Sequence, residues 1–219
     1  FYARKAWAYY QDQLSTTHPV AANAPDTEIA FANFDGISYA KGAAALKQLL
    51  FFVGEENFKK GIRNYFKKFQ WKNTELKDFL SCLEKTSGKN LKPWTRLWIQ
   101  TPGVNSITLK YNTKNSRISS FSIIQVPSAK NKLLRTHKTQ IALFYEKNKV
   151  CKKEKSFSVT YSRKITKIKN LNGIKTPNLI YLNYEDHDYV KDFLDKNSLN
   201  YAIDNINKIS VELTKQMIY

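Results

Sequence analysis

Among the side chains of this 219-residue sequence, the tyrosine at position 39 is one whose place could let it do chemistry. It lies in Ala32-Asn33-Phe34-Asp35-Gly36-Ile37-Ser38-Tyr39-Ala40-Lys41-Gly42-Ala43-Ala44-Ala45-Leu46, which reads as a short loop tipping into a helix. Asp35-Gly36 is a turn dipeptide. Ser38 is the expected N-cap, because its hydroxyl can accept from a free N–H of the first turn. Ala43, Leu46, Leu49, Leu50 and Val53 recur at helical spacing and are the expected buried face, with Gly54 closing the helix as a left-handed cap. A tyrosine at such a helix mouth can face a cleft. Its hydroxyl is a donor at neutral pH, suited to a developing oxyanion. Position alone does not single it out, since the chain holds 13 tyrosines, a residue type used mostly for packing.

The other groups capable of chemistry are scattered. His18, His137 and His187 are separated by 119 and 50 positions. None forms the H-E-x-x-H pattern that would set two imidazoles on one helix face around a zinc ion with a glutamate beside them to activate water. No metal ligand is assigned within the chain. His18, before Pro19, reads as a turn residue whose ring bonds local backbone, with a contact toward a cleft as the alternative. Asp35 and Lys41 flank Tyr39 and read as turn and ion-pair residues. Trp94 and Trp98, at i and i+4, read as helix packing. Cys82 and Cys151, 69 positions apart, form neither a metal-ligand pair nor a disulfide framework. Cys82, beside Leu80 and Leu83, reads as a small buried thiol. Reduced cysteines fit a reducing compartment, and a cytoplasmic location is the expectation.

Charge is uneven. Residues 1–103 hold 15 Lys+Arg against 9 Asp+Glu, residues 104–184 hold 17 against 2, and residues 185–219 hold 4 against 7. The middle segment could attract an acidic partner, nucleic acid or an anionic membrane surface. Its lysines alternate with apolar residues, however, as on the solvated face of strands. A basic binding module is therefore the alternative reading, and no specific nucleic-acid partner is expected. Seven Gly and 6 Pro in a chain that is 42% hydrophobic argue for a packed core rather than disorder. The longest apolar run, Ala43 to Val53, is broken by Lys47 and Gln48, so no transmembrane segment is expected.

The elements that must position Tyr39 follow from periodicity. Residues 1–13 read as a helix already under way, ended by His18-Pro19. Residues 18–37 read as a loop with an apolar anchor at Ile29 to Phe31. Helices are expected at 38–52, 55–69, 74–86 and 93–100. The second buries Phe58, Ile62, Tyr65, Phe66 and Phe69. The third is capped by Thr74, turns Leu76, Phe79, Leu80 and Leu83 inward and stops at Gly88; the fourth opens on Pro93. At Val104 the period falls to 2, and six or seven strands at about ten-residue spacing suggest a small antiparallel sandwich. Ile107, Leu109 and Tyr111 alternate, as do Ile141, Leu143 and Tyr145, while Phe121 is out of step with Ile118. From Asp188 the period returns to helical, with Tyr189, Phe193 and Leu194 on one face. A further helix carries Leu199, Ile203, Ile206, Ile209, Leu213 and Met217. Neither terminal helix is capped, so the chain reads as a piece of a longer protein.

Three motifs in order carry a resemblance: Ser15-Thr16-Thr17-His18-Pro19-Val20, Phe34-Asp35-Gly36-Ile37-Ser38-Tyr39-Ala40-Lys41-Gly42-Ala43, and Trp94-Thr95-Arg96-Leu97-Trp98-Ile99-Gln100-Thr101-Pro102-Gly103-Val104-Asn105. Together they resemble zinc aminopeptidases of the aminopeptidase N type (the gluzincin membrane-alanyl-aminopeptidase family), over nearly the whole chain. The resemblance implies a multi-domain α + β protein: the helical C-terminal half of a thermolysin-like catalytic domain (1–103), a small antiparallel β-sandwich (104–184) and the first helices of a C-terminal helical domain (185–219). It implies that Tyr39 stabilises the tetrahedral intermediate of peptide hydrolysis. It also implies that zinc and its ligands, the water-activating glutamate and the substrate-recognition glutamates belong to an upstream half of the catalytic domain, outside this chain. The partners implied are that upstream half and peptide substrates. The chain alone is expected to hold no zinc and hydrolyse nothing.

Overall fold

The computed structural model describes residues 2–210. The first half is helical: α1 (Tyr2–Gln11), α2 (Thr27–Ala32), a π-helical turn (Ile37–Lys41) running straight into α3 (Gly42–Val53), then α4 (Glu55–Phe69), α5 (Leu76–Ser87) and α6 (Lys92–Trp98). Local chemistry accounts for most of these limits. α4 carries Glu55 and Glu56 in its first turn and Lys67 and Lys68 in its last, complementing the helix dipole. α5 opens at Glu75 rather than Thr74: the Glu75 N–H donates to Asp78 Oδ2 at 3.0 Å, while the Thr74 hydroxyl pairs with that of Tyr65. α5 ends on Gly88 at φ +66°, a left-handed cap. Gly54 closes α3 at φ +91°, ψ 143°, a positive-φ turn outside the left-handed helical region.

Burial corrects several expected faces. On α3 the buried line is Ala44, Ala45, Gln48, Leu49 and Val53, whereas Ala43 and Leu46 face outward. Gln48 is tolerated inside because its Oε1 accepts from Trp94 Nε1 at 2.5 Å. Trp94 and Trp98 are both buried, as helix packing requires. Ile29 and Phe31 are exposed and anchor nothing. Phe66 and Leu76 are exposed too; α4 and α5 turn Phe58, Phe79, Leu80 and Leu83 to the core instead.

Past α6 the chain becomes β structure: β1 (Ser106–Lys114), β2 (Arg117–Val126), β3 (His137–Lys147), β4 (Val150–Tyr161), β5 (Ile165–Lys167), β6 (Leu179–Tyr181) and β7 (Lys191–Asp192). They form two sheets, ordered β5-β2-β1-β7 and β4-β3-β6. Hairpins β1–β2 and β3–β4 turn through Asn115-Ser116 and Asn148-Lys149, all at positive φ, as tight hairpins demand. The out-of-step Phe121 has a simple cause. The register jumps from Asn112↔Ser120 to Thr113↔Ile118, so Ser119 is bulged and both Ile118 and Phe121 reach the core. In β3, Ile141, Leu143 and Tyr145 point into the sandwich, while Ala142 and Phe144 point out, under the last helix. Lys152, Lys153 and Lys155 lie on β4, an edge strand, where charge discourages pairing with other chains.

Residues 188–194 are not helical. Tyr189 and Val190 enter different cores, one on the helical side and one inside the sandwich, and β7 then runs parallel to β1. Adjacent residues pointing opposite ways require extended backbone. Helix α7 (Lys196–Asn205) packs on the outer face of the three-stranded sheet through Ser198 and Ala202, with the Ser198 hydroxyl accepting from the Ile180 N–H at 2.9 Å. Leu199 and Ile203, expected inside, are exposed. Ile209 is buried, but as an extended residue bridging Cys151. Both cysteines are buried and free. Leu213 and Met217 lie outside the described residues.

Candidate active site

Asp35 builds the mouth of the Tyr39 helix. Its Oδ1 accepts from the N–H groups of Ile37 and Ser38, both at 2.9 Å, and its carbonyl accepts from the Tyr39 N–H at 3.1 Å. The cap is therefore Asp35, not Ser38; a carboxylate is the stronger acceptor for free helix N–H groups. Asp35 Oδ2 faces His18 Nε2 at 3.0 Å, and His18 Nδ1 lies 2.8 Å from the Pro19 carbonyl. The Gly36 N–H donates to Gln11 Oε1 at 2.5 Å, which brings the turn against α1. A side chain at position 36 would put its Cβ 2.6 Å from that oxygen and 2.9 Å from the Trp7 ring. Only glycine allows so close an approach.

The other end of the turn is fixed by a buried charge. Lys41 is fully buried and its ammonium pairs with Asp12 Oδ2 at 2.9 Å, while also reaching the Thr101 carbonyl at 3.3 Å. Burial pulls this lysine from 10.5 down to about 8; Asp12 opposes the shift and Arg135 adds to it. Asp12 also accepts from the Gly103 N–H at 2.7 Å, the Thr17 hydroxyl at 2.8 Å and the Tyr189 hydroxyl at 3.2 Å. Arg135 donates to the carbonyls of Leu97, Thr101 and Pro102 and to Asn105 Oδ1. The Thr101–Asn105 motif is thus the backbone strap onto which two buried cations close. Nothing in the sequence marked Asp12 or Arg135. Their partners are up to 177 positions away, and neither breaks a visible pattern.

Between these two anchors Tyr39 is 52% exposed. It lines an open concavity of about 430 Å³ with Arg4, Ala40 and Ala43. The outward turn of Ala43 thus follows from its place in the concavity wall. Phe34 lies beside the Tyr39 ring at 5.9 Å between centroids, and Phe31 beside Phe34 at 5.8 Å. Among the described residues none takes the phenol's hydrogen bond, and an oxygen anion in the groove could accept it.

The three histidines are not brought together. His18 pairs with Asp35, His187 with Glu185 at 3.1 Å, and His137 is buried with Nδ1 2.8 Å from Asp188 Oδ2. Among the described residues no group of three or more His, Cys, Asp and Glu side chains could hold a metal ion. These residues do not by themselves fit a zinc centre. Nor does any helix among them have the length and apolarity to cross a membrane.

Residues 2–98 match the peptidase family M1 domain. The chain is 38% identical to aminopeptidase N of Streptomyces lividans over 224 residues, which covers 98% of this chain and 26% of that protein. It is 35% identical to the leucyl aminopeptidase of Saccharolobus solfataricus over 119 residues, 53% of this chain and 15% of the relative. In fold it is similar to aminopeptidase A of Legionella pneumophila, solved in complex with aspartic acid, with a TM-score of 0.61 at 14% identity, over 81% of this chain and 20% of the other. The chain thus spans about a quarter of the length of the Streptomyces protein. Its helical half carries the Tyr39 turn, it aligns with aminopeptidase N along nearly its full length, and it belongs to peptidase family M1.

Proposed function

We propose that this chain is part of an aminopeptidase that removes N-terminal residues from peptides, and that Tyr39 hydrogen-bonds the oxyanion formed when the scissile carbonyl is attacked. One observation carries this reading: a phenol, half exposed on a concavity, is held at a helix mouth whose backbone donors and flanking lysine are all engaged elsewhere. A donor fixed before the charge develops needs no reorganisation during the reaction, and this makes it effective. The first half, residues 1–103, supplies this donor as part of the catalytic domain. The sandwich, which begins at 104 and takes in β7, spaces it from a C-terminal helical region that begins with α7. Zinc and the groups that hold it belong to residues outside this chain, and the chain alone is inactive. The protein works in the cytoplasm.

The test is Tyr39→Phe in the full-length enzyme. Loss of one oxyanion donor lowers kcat by about 10²–10³ with little change in KM. A kcat within a few-fold of wild type removes Tyr39 from the mechanism.

A further inference from the structure

We propose that His18 and Asp35 form a positioning pair for Tyr39; the inference rests on the reading of Tyr39 as the oxyanion donor. Asp35 alone takes three consecutive N–H groups, those of Ile37, Ser38 and Tyr39. The conformation of the first turn, and with it the direction of the phenol, is therefore set by how firmly this one residue is held. Its second carboxylate oxygen has a single side-chain partner, His18 Nε2 at 3.0 Å. The imidazole is itself fixed, with Nδ1 2.8 Å from the Pro19 carbonyl. Both ring nitrogens thus face acceptors. The ring is therefore held from both sides, by the Pro19 carbonyl and by the Asp35 carboxylate.

The pair ties the Tyr39 turn to the segment before it. The Ala21 N–H donates to the Ile99 carbonyl at 3.0 Å, so that segment is docked on α6 and does not drift with the turn. Gln11 holds the same turn from the α1 side through the Gly36 N–H. Neither His18 nor Asp35 lines the concavity with Tyr39. Their effect on the reaction passes through the geometry of the phenol, where displacements well under 1 Å matter.

The experiment is a double-mutant cycle in the full-length enzyme with alanine 4-nitroanilide as substrate. His18→Gln retains one amide donor and lowers kcat about tenfold or more, with KM within twofold. Asp35→Asn lowers kcat in the same direction. Ser38→Ala leaves kcat within twofold, since only the Ser38 backbone enters the cap. In the Tyr39→Phe background, His18→Gln lowers kcat by less than twofold, because the donor that it positions is gone. Equal loss in both backgrounds, or no loss in either, overturns the positioning pair while leaving Tyr39 in place. A near-normal kcat for Tyr39→Phe alone overturns the reading of Tyr39 and this proposal with it.

Discussion

The seam between the helical unit and the sandwich contrasts with the groove side of the same helices. At the seam the buried side chains are charged: Lys5, Asp12, Lys41, Arg135, Asp186 and Asp188. On the groove side the exposed ones are aromatic. Phe31 is 74% exposed, and Phe34 lies between it and Tyr39. Helix α1 shows both at once, since Lys5, Ala8 and Asp12 face the seam while Trp7 and Tyr10 face out. The two regions invert the usual rule for opposite reasons. Charges are buried where polar partners await them: Lys5 meets Asp186 and the Asp188 carbonyl, and Asp188 Oδ2 meets the His137 ring and the Tyr161 hydroxyl. Aromatic side chains clustered in the open mark a surface suited to a ligand or another protein element. The seam is a rigid anchor, and the groove is built to meet something.

The contrast is broken most severely at Asp12. Asp12→Ala leaves Lys41 buried without its counter-ion and strands the Gly103 N–H and the hydroxyls of Thr17 and Tyr189. Removing one partner of a buried pair destabilises by about 3–5 kcal/mol, to be read from the urea midpoint. Tyr39→Phe has an effect of comparable size on the other side, but on turnover: about 10²–10³ in kcat, with the urea midpoint little changed.

A third prediction sharpens the seam through pH. Lys41 titrates near 8 in the folded chain and near 10.5 unfolded. Between those values the unfolded chain binds more protons, so stability contributed by this group is lowest below pH 8 and rises toward pH 10.5. Lys41→Met carries no proton there. The stability of wild type minus that of the variant should therefore rise by an amount on the order of 1 kcal/mol or more across the window. A flat difference would mean that the ammonium is not desolvated. The smallest effects belong to the exposed aromatics: Tyr10→Ser and Phe31→Ser should each stay within about 0.5 kcal/mol of wild type by urea unfolding.

The same contrast decides what could be read from sequence. Local rules located α4, the left-handed stop of α5 at Gly88 and the change of period before β1, because each is set by neighbours in the chain. The Tyr39 turn was legible as a turn, yet its cap fell on Asp35 rather than Ser38. Both are good capping types three residues apart, and the turn sets the Asp35 carboxylate, not the Ser38 hydroxyl, against the free N–H groups. The faces of α3 and α7 were misread for one reason: Leu46, Leu199 and Ile203 are apolar but exposed, while Gln48 and Ser198 are inside, where Gln48 Oε1 accepts from Trp94 and the Ser198 hydroxyl from the Ile180 N–H. Of the seam, only Lys41 was legible, as an ion-pair residue. Tertiary partners compensate those charges, and no periodicity records a partner across the fold. Residues 188–190 misled for the same reason, since their neighbours pack into separate cores.

The central claim is that the phenol of Tyr39 acts as a prepositioned donor. Steady-state kinetics of Tyr39→Phe in the full-length enzyme tests it most directly. The account predicts a kcat reduced by about 10²–10³ at nearly constant KM. A variant that turns over as fast as wild type, or one that changes only in KM, would contradict it.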